Sequence, residues 1–242
     1  IQRSRGLGDV YKRQREYVED KLRKKRWSPE TIAGRLKKEL GLSIHYDTIY
    51  RHIYSKRAQH LELRQFLTLK RKSRRKRRAV KSKKQNIADR VSIDHRPEVV
   101  DSRSRIGDWE TDNMEGIRGD TNSVSVTIER KSRYMVSGLI TKKSQSKSDN
   151  LIKRLKQLPV LTITTDNGSE NAGHKLWKQK LNTEVYFCNP YHSWEKGAVE
   201  NAIGRLRRVF PKKQSIEDLS YQKLAYYTHL YNHTPRKCLN YL

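Results

Sequence analysis

Eleven of the fifteen residues from 70 to 84, KRKSRRKRRAVKSKK, are Lys or Arg. No core can take in such a block, because unpaired charges are costly to remove from water and like charges repel along the chain. The block is therefore expected to be a disordered linker in isolation, so the chain must fold as separate bodies on either side of it. Beside a duplex it would neutralise phosphates and release counterions without reading sequence, with Arg74 and Arg75 at its centre. A nuclear-localisation reading fits the same composition. We place a helical module at residues 15–60, this linker at 61–92 and an alternating region at 93–242.

The whole chain carries 54 Lys+Arg against 26 Asp+Glu, a net charge of +28. A positive field of that size draws polyanions, of which nucleic acid is the commonest and a membrane surface the runner-up. No run of 18 or more apolar residues occurs, so no membrane span is expected. Cys188 and Cys238 are the only cysteines. They form no CxxC pair and have no metal-ligand spacing with the histidines, which points to two reduced thiols in a cytoplasmic protein and no structural zinc.

Both ends read as cut. SRGLGDVYKRQ, residues 4–14, has no apolar periodicity and leads into no expected element. It resembles a translated sequencing-library adapter, so residues 1–14 are set aside as a non-native scar. The end, NHTPRKCLNYL, stops straight after a turn-like segment, as a truncated chain would.

In WSPETIAGRLKKELG, Ser28 is placed to cap a helix, Pro29 suits its first position and Glu30 favours the positive end of its dipole. Ile32, Leu36 and Leu40 form one stripe, and Gly41 supplies the stop. YDTIYRHIYSKR reads as a second helix with Ile49 and Ile53 inward and Thr48, Arg51, His52 and Lys56 outward. Two short helices with a basic second one suggest a helix-turn-helix whose second helix enters a major groove.

Beyond residue 93 the pattern changes to strands followed by helices. GDWETDNMEG, NSVSVTIER and YMVSGLIT read as three strands, SKSDNLIKRLKQL as a helix, VLTITTDNG as a strand ending in a turn, and EVYFC as another strand. Helices are expected around 170–181 and around Glu200, giving a mixed α/β sheet. Asp166 lies where open sheets place ligand-binding groups, although Asp-Asn-Gly is also ordinary turn chemistry. Glu200 falls on the shoulder of the stripe Val199, Ile203, Leu206, Phe210, where core meets cleft. Asp108, Glu110 and Asp112 share one parity on the first strand, and alternation does not choose among them. Trp194 is expected to anchor the core or a loop rather than to stack on bases.

These segments, WSPETIAGRLK, DTIYRHIY, IDHRPEVVDSRSRIGDWETD, IERKSRY, TITTDNGSE, YFCNPYHSWEKGAVENAIGRLRRVFPK and YNHTPRKCLNY, resemble the transposases of the insertion sequence 30 family across residues 17–242. The resemblance implies a ribonuclease-H-like mixed sheet with flanking helices, preceded by a small all-α helix-turn-helix module. It implies catalytic and metal-binding roles for Asp112, Asp166 and Glu200, the last two separated by 33 residues. Two Mg²⁺ ions, with Mn²⁺ able to substitute, would be held by these acids, Asp112 bridging. Double-stranded DNA is the implied partner, both as terminal inverted repeats and as target, bound by a homo-oligomer in the cytoplasm near the nucleoid. Lys196, Arg207, Arg208, Arg236 and Lys237 join the helix-turn-helix residues as expected DNA contacts. Asn113, His45 and Thr234 depart from the family's usual residues. A binding-only regulator of the same fold is the alternative, and a ribonuclease is disfavoured because RNA duplexes hide the groove a helix-turn-helix reads.

Overall fold

The computed structural model describes residues 2–67, 87–190 and 192–242, with side chains from residue 12 onward, Ser193 excepted. The described residues divide into two compact units, 2–67 with 233–242, and 87–232. Arg74, Arg75 and the whole of the basic block, 70–84, lie outside the described residues.

The first unit is built on three helices: α1 (Gln2–Lys25), α2 (Pro29–Leu40) and α3 (Tyr46–Tyr54). The backbone of residues 4–14 is helical and continuous with α1, correcting the expectation that this stretch leads into no element. Val18 and Leu22, one turn apart and buried, fix the later part of α1. Extending an existing helix upstream costs far less than nucleating one. Ser28 Oγ accepts the Thr31 N–H at 3.2 Å, and Gly41 closes α2 at φ 66°. Ile32 and Leu36 are buried as expected, but Leu40 is exposed, so the stripe is one turn shorter. Ile49 and Ile53 of α3 pack against Ile32, and His45 Nδ1 accepts the Asp47 N–H, a capping role more often filled by Ser.

Both ends of the stretch expected as linker, 61–92, belong to the folded units. Leu63 and Leu67 bury in the core of the helical unit, and β1 (Val91–Ser92) pairs within the sheet of the second unit. The last ten residues, expected in the alternating region, pack in the helical unit instead. Arg35 Nη1 donates to the Tyr241 carbonyl at 2.9 Å, Lys237 pairs with Glu30 at 3.1 Å, and a Cβ on Gly34 would collide with the Tyr241 ring.

The second unit is a six-stranded sheet ordered β1-β6-β5-β2-β3-β4. After β1 comes the short helix α4 (Glu98–Ser102), then β2 (Asp108–Glu115), β3 (Asn122–Glu129) and β4 (Met135–Thr141) as an antiparallel meander. Next are α5 (Ser144–Leu155), β5 (Thr162–Thr165), α6 (His174–Leu181) and β6 (Glu184–Phe187), with β1, β6, β5 and β2 parallel. The helices α7 (Gly197–Leu206) and α8 (Tyr221–Asn232) follow. The sheet has a core on each face. Trp109, Ile163 and Phe187 pack against α5 and α6, while Met114, Val124, Val126 and Ile128 pack against α7 and its apolar stripe.

Candidate active site

On β2 the face toward α7 carries Asp108, Glu110 and Asp112 where apolar residues would ordinarily bury. Their single parity holds, and their surroundings now distinguish them. Asp108 is a structural latch: Arg105 donates to both its oxygens at 2.9 and 3.0 Å, and Thr162 Oγ1 donates to Oδ1 at 2.8 Å. Glu110 caps α7 from across the sheet, its Oε2 accepting the N–H groups of Ala198 and Val199 at 2.8 and 3.0 Å. The first N–H groups of a helix have no partner within it, and a carboxylate there also meets the positive end of the dipole. Asp112 is the one of the three left to face the cleft.

Asp166 stands just past β5. The parallel register pairs Asp108 with Thr162 and Glu110 with Thr164, and continuing it sets Asp166 level with Asp112. Each of these two aspartates holds one carboxylate oxygen on a local donor and aims the other at a shared point. Asp112 Oδ1 accepts the Asn113 N–H at 2.7 Å; Asp166 Oδ1 accepts Asn171 Nδ2 at 2.8 Å and the Gly168 N–H at 3.1 Å. At the shared point sits the ammonium of Lys196, 2.8 Å from Asp112 Oδ2 and 2.6 Å from Asp166 Oδ2. The two oxygens are thus no farther apart than the sum of those distances.

Lys196 is only 5% exposed. Burial by itself would push its pKa down, but the two carboxylates, Asp112 ahead of Asp166, outweigh burial and hold it protonated well above the usual lysine range. Burial likewise opposes ionisation of Asp166, yet Lys196 beside it keeps its carboxyl below the ordinary value. A second lysine lies behind the pair. Lys147, on α5, is fully buried, and its Nζ has no hydrogen-bond partner among the described residues. Burial drives its pKa down against the pull of Glu170, Asp166 and Asp112.

Glu200 lies in the first turn of α7, four residues past Lys196 and exposed. Among the described residues no three His, Cys, Asp or Glu side chains gather closely enough to hold one ion. The structure therefore brings Asp112 and Asp166 together and leaves Glu200 outside that cluster. Two aspartate oxygens converging on one cation are a fit for a hard divalent ion, which prefers oxygen ligands; the ammonium occupies the place of that charge.

The expected DNA contacts are variously placed. Thr48, Arg51 and Lys56 are exposed, Lys56 in a 3₁₀ turn beyond α3. His52 is half-buried and turned toward α1, its Nε2 3.1 Å from Glu19. Lys196 is held between the aspartates, and half-buried Arg207 donates to the Glu115 carbonyl. Arg208 and Arg236 are half-buried, and Lys237 is exposed in its pair with Glu30. Trp194 is 69% exposed and stacks on His192 with ring centroids 4.4 Å apart, so of the expected core or loop anchor it is the loop side chain and not a core one. Sequence reasoning missed the cap by Glu110, the buried Lys147, and Glu195, which braces the loop before α7 through the Asn189 N–H at 2.8 Å and His192 Nδ1 at 3.0 Å. Only Glu110 left a signal, its parity with Asp112.

A mixed sheet in this strand order, covered by helices on both faces, with two aspartates converging beside its central strands, defines a ribonuclease-H-like domain. No family model matches the chain. It is 34% identical over 224 residues to the transposase for insertion sequence element IS4351 of Bacteroides fragilis, covering 92% of this chain and 69% of that protein. It is 32% identical over 240 residues to the transposase for element IS30A of Escherichia coli (strain K12), covering 94% of this chain and 62% of that one. Over 154 residues it is 38% identical to a probable transposase for the insertion-like element IS1161 of Streptococcus salivarius, covering 62% of this chain and 44% of that protein. Among solved structures, the catalytic core domain of BIV integrase superposes with a TM-score of 0.39 at 19% identity, covering 54% of this chain and 83% of that one. A chain of a simian T-cell lymphotropic virus intasome does so with 0.41 at 16%, covering 50% and 46%. The chain belongs to the transposases of bacterial insertion elements of the IS30 type. These are DDE-type nucleases and transferases, which generally use divalent metals. Among the described residues no helix is long and apolar enough to cross a membrane.

Proposed function

We propose that this chain binds double-stranded DNA at the ends of an insertion element and catalyses metal-dependent strand cleavage and strand transfer, using Asp112, Asp166 and Glu200. The observation that carries this reading is the pair of aspartate oxygens, Asp112 Oδ2 and Asp166 Oδ2, aimed from adjacent parallel strands at one buried cation. When bound, two Mg²⁺ ions, or Mn²⁺ in their place, would supply charge neutralisation for an in-line displacement at phosphorus. Asp112, Asp166 and Glu200 are the residues that would hold these ions. Asn171 and the Gly168 N–H fix the Asp166 carboxylate in the required orientation, and Glu110 fixes the start of the helix that carries Glu200. Thr48 and Arg51, outward on α3, read the groove, while basic residues elsewhere hold phosphates. The protein works as a homo-oligomer on terminal inverted repeats and target DNA, in the cytoplasm near the nucleoid.

Nicking of supercoiled plasmid with and without Mg²⁺ tests this. Glu200→Gln and Asp166→Asn are expected to keep duplex affinity and to abolish Mg²⁺-dependent nicking and strand transfer. Nicking at an undiminished rate by either variant removes that residue from the mechanism, and a wild-type protein that binds ends without cutting under any divalent ion would be a regulator instead.

A further inference from the structure

Lys196 stands out from the other fifty-three basic residues of this chain. Among the described residues it is one of three buried Lys or Arg, with Arg130 and Lys147, and it contacts both aspartates of the candidate site at once. One ammonium between two carboxylates leaves these three groups one negative charge in excess, and Lys147, buried behind them, makes no hydrogen bond to either carboxylate. A divalent ion placed on the same two Oδ2 atoms would meet the ammonium at close range, and two cations cannot share that point. Lys196 ends the turn Ser193–Lys196 that leads into α7, and its long stem can swing out without unwinding the helix.

We propose that Lys196 is a displaceable internal counter-ion. In the metal-free protein it holds Asp112 and Asp166 in place, and metal loading expels it, turning its ammonium outward to contact a DNA phosphate. It is a positioning residue that couples metal binding to DNA binding, and the inference rests on the reading of Asp112 and Asp166 as metal ligands. Displacement lowers the apparent metal affinity by the fraction of time the pocket stays filled. The released cation adds one phosphate contact only when metal is present.

The test uses the full chain and Lys196→Met, with Lys196→Gln as a second variant should the first fold poorly. Mn²⁺ binding is followed by calorimetry, and binding of a random-sequence duplex by anisotropy, in EDTA and in non-catalytic Ca²⁺. The variant is expected to bind Mn²⁺ roughly tenfold tighter than wild type. Its duplex affinity should equal that of wild type in EDTA and fall below it in Ca²⁺, with the salt slope shallower by about one there. Unchanged or weaker Mn²⁺ binding by both variants, or an equal loss of DNA affinity with and without Ca²⁺, overturns the proposal. A merely structural lysine would produce that equal loss. Asp112→Asn separates the two layers: if it binds Mn²⁺ as well as wild type does, the metal-site reading itself has failed, whatever Lys196 does.

Discussion

Cys188 follows the last residue of β6, and its N–H donates to the Thr165 carbonyl at 2.8 Å. Burial pushes its thiol up to about 12, so it stays protonated, and a thiol reacts only as its thiolate. Cys238 is exposed in the other unit. Iodoacetamide at pH 7–9 is therefore expected to label one cysteine per native chain. Peptide mass mapping should find the label on Cys238, with no gain at Cys188 as pH rises through that range; labelling of Cys188 under native conditions would contradict its burial. Glu110 makes the second case at this scale. Its Oε2 serves two backbone donors and its Oε1 lies 3.5 Å from buried Arg130 Nε, so Glu110→Gln keeps the shape but removes the charge both partners depend on. A loss of about 1–3 kcal/mol is expected in denaturant unfolding, since hydrogen bonds to buried charges are among the strongest. An unchanged midpoint would mean that α7 does not rely on this cap. Which of three same-parity acids caps a helix and which faces a cleft depends on α7 lying over β2. Local alternation carries no information on that.

Among the elements, α3 is the one on which the proposed reading of DNA sequence rests. Ile49 and Ile53 tie it to α1 and α2, which leaves Thr48 and Arg51 on the solvent side, while His52 is spent on Glu19. Arg51→Ala is expected to weaken binding to the element's own end far more than binding to random duplex, by about 1–3 kcal/mol at the affected base position. Competition anisotropy with both DNAs checks this, and equal losses would demote α3 to a non-specific role. His52→Ala should act through stability instead. Helix boundaries with a local cause were readable in advance: Ser28, Pro29 and Gly41 set α2 by capping, a fixed φ and a left-handed stop. α8 went unread because its tyrosines and leucines are spread around the helix, and Leu224 and Tyr231 bury only because β4 and α7 are there to receive them.

For the whole molecule, the net charge of +28 is expected to govern how tightly it holds any duplex. Each phosphate neutralised releases counterions, so affinity falls steeply with salt. If six to ten phosphates are engaged, raising salt from 50 to 200 mM should weaken binding by about 10³–10⁵-fold, whatever the sequence. A flat salt dependence would show that the basic residues are occupied within the protein. Several are: Lys196 is held by aspartates, Arg207 by a backbone carbonyl, and Lys237 by Glu30.

Charge, periodicity and capping each act within a few residues of their cause, and so the sequence by itself determined the excess of positive charge, the helices α2 and α3 of the first unit, the strand-and-helix order and the face on which the β2 acids lie. Tertiary structure alone decided which acid meets which partner, because those choices are made between segments dozens of residues apart. It set Asp112 level with Asp166 through the β2–β5 register, put the Lys196 ammonium between them, and turned Glu110 into a cap. It also carried the last ten residues to the helical unit. A lysine read as a surface phosphate contact is buried at the centre of the site, since long-range pairing overrides composition wherever two carboxylates converge.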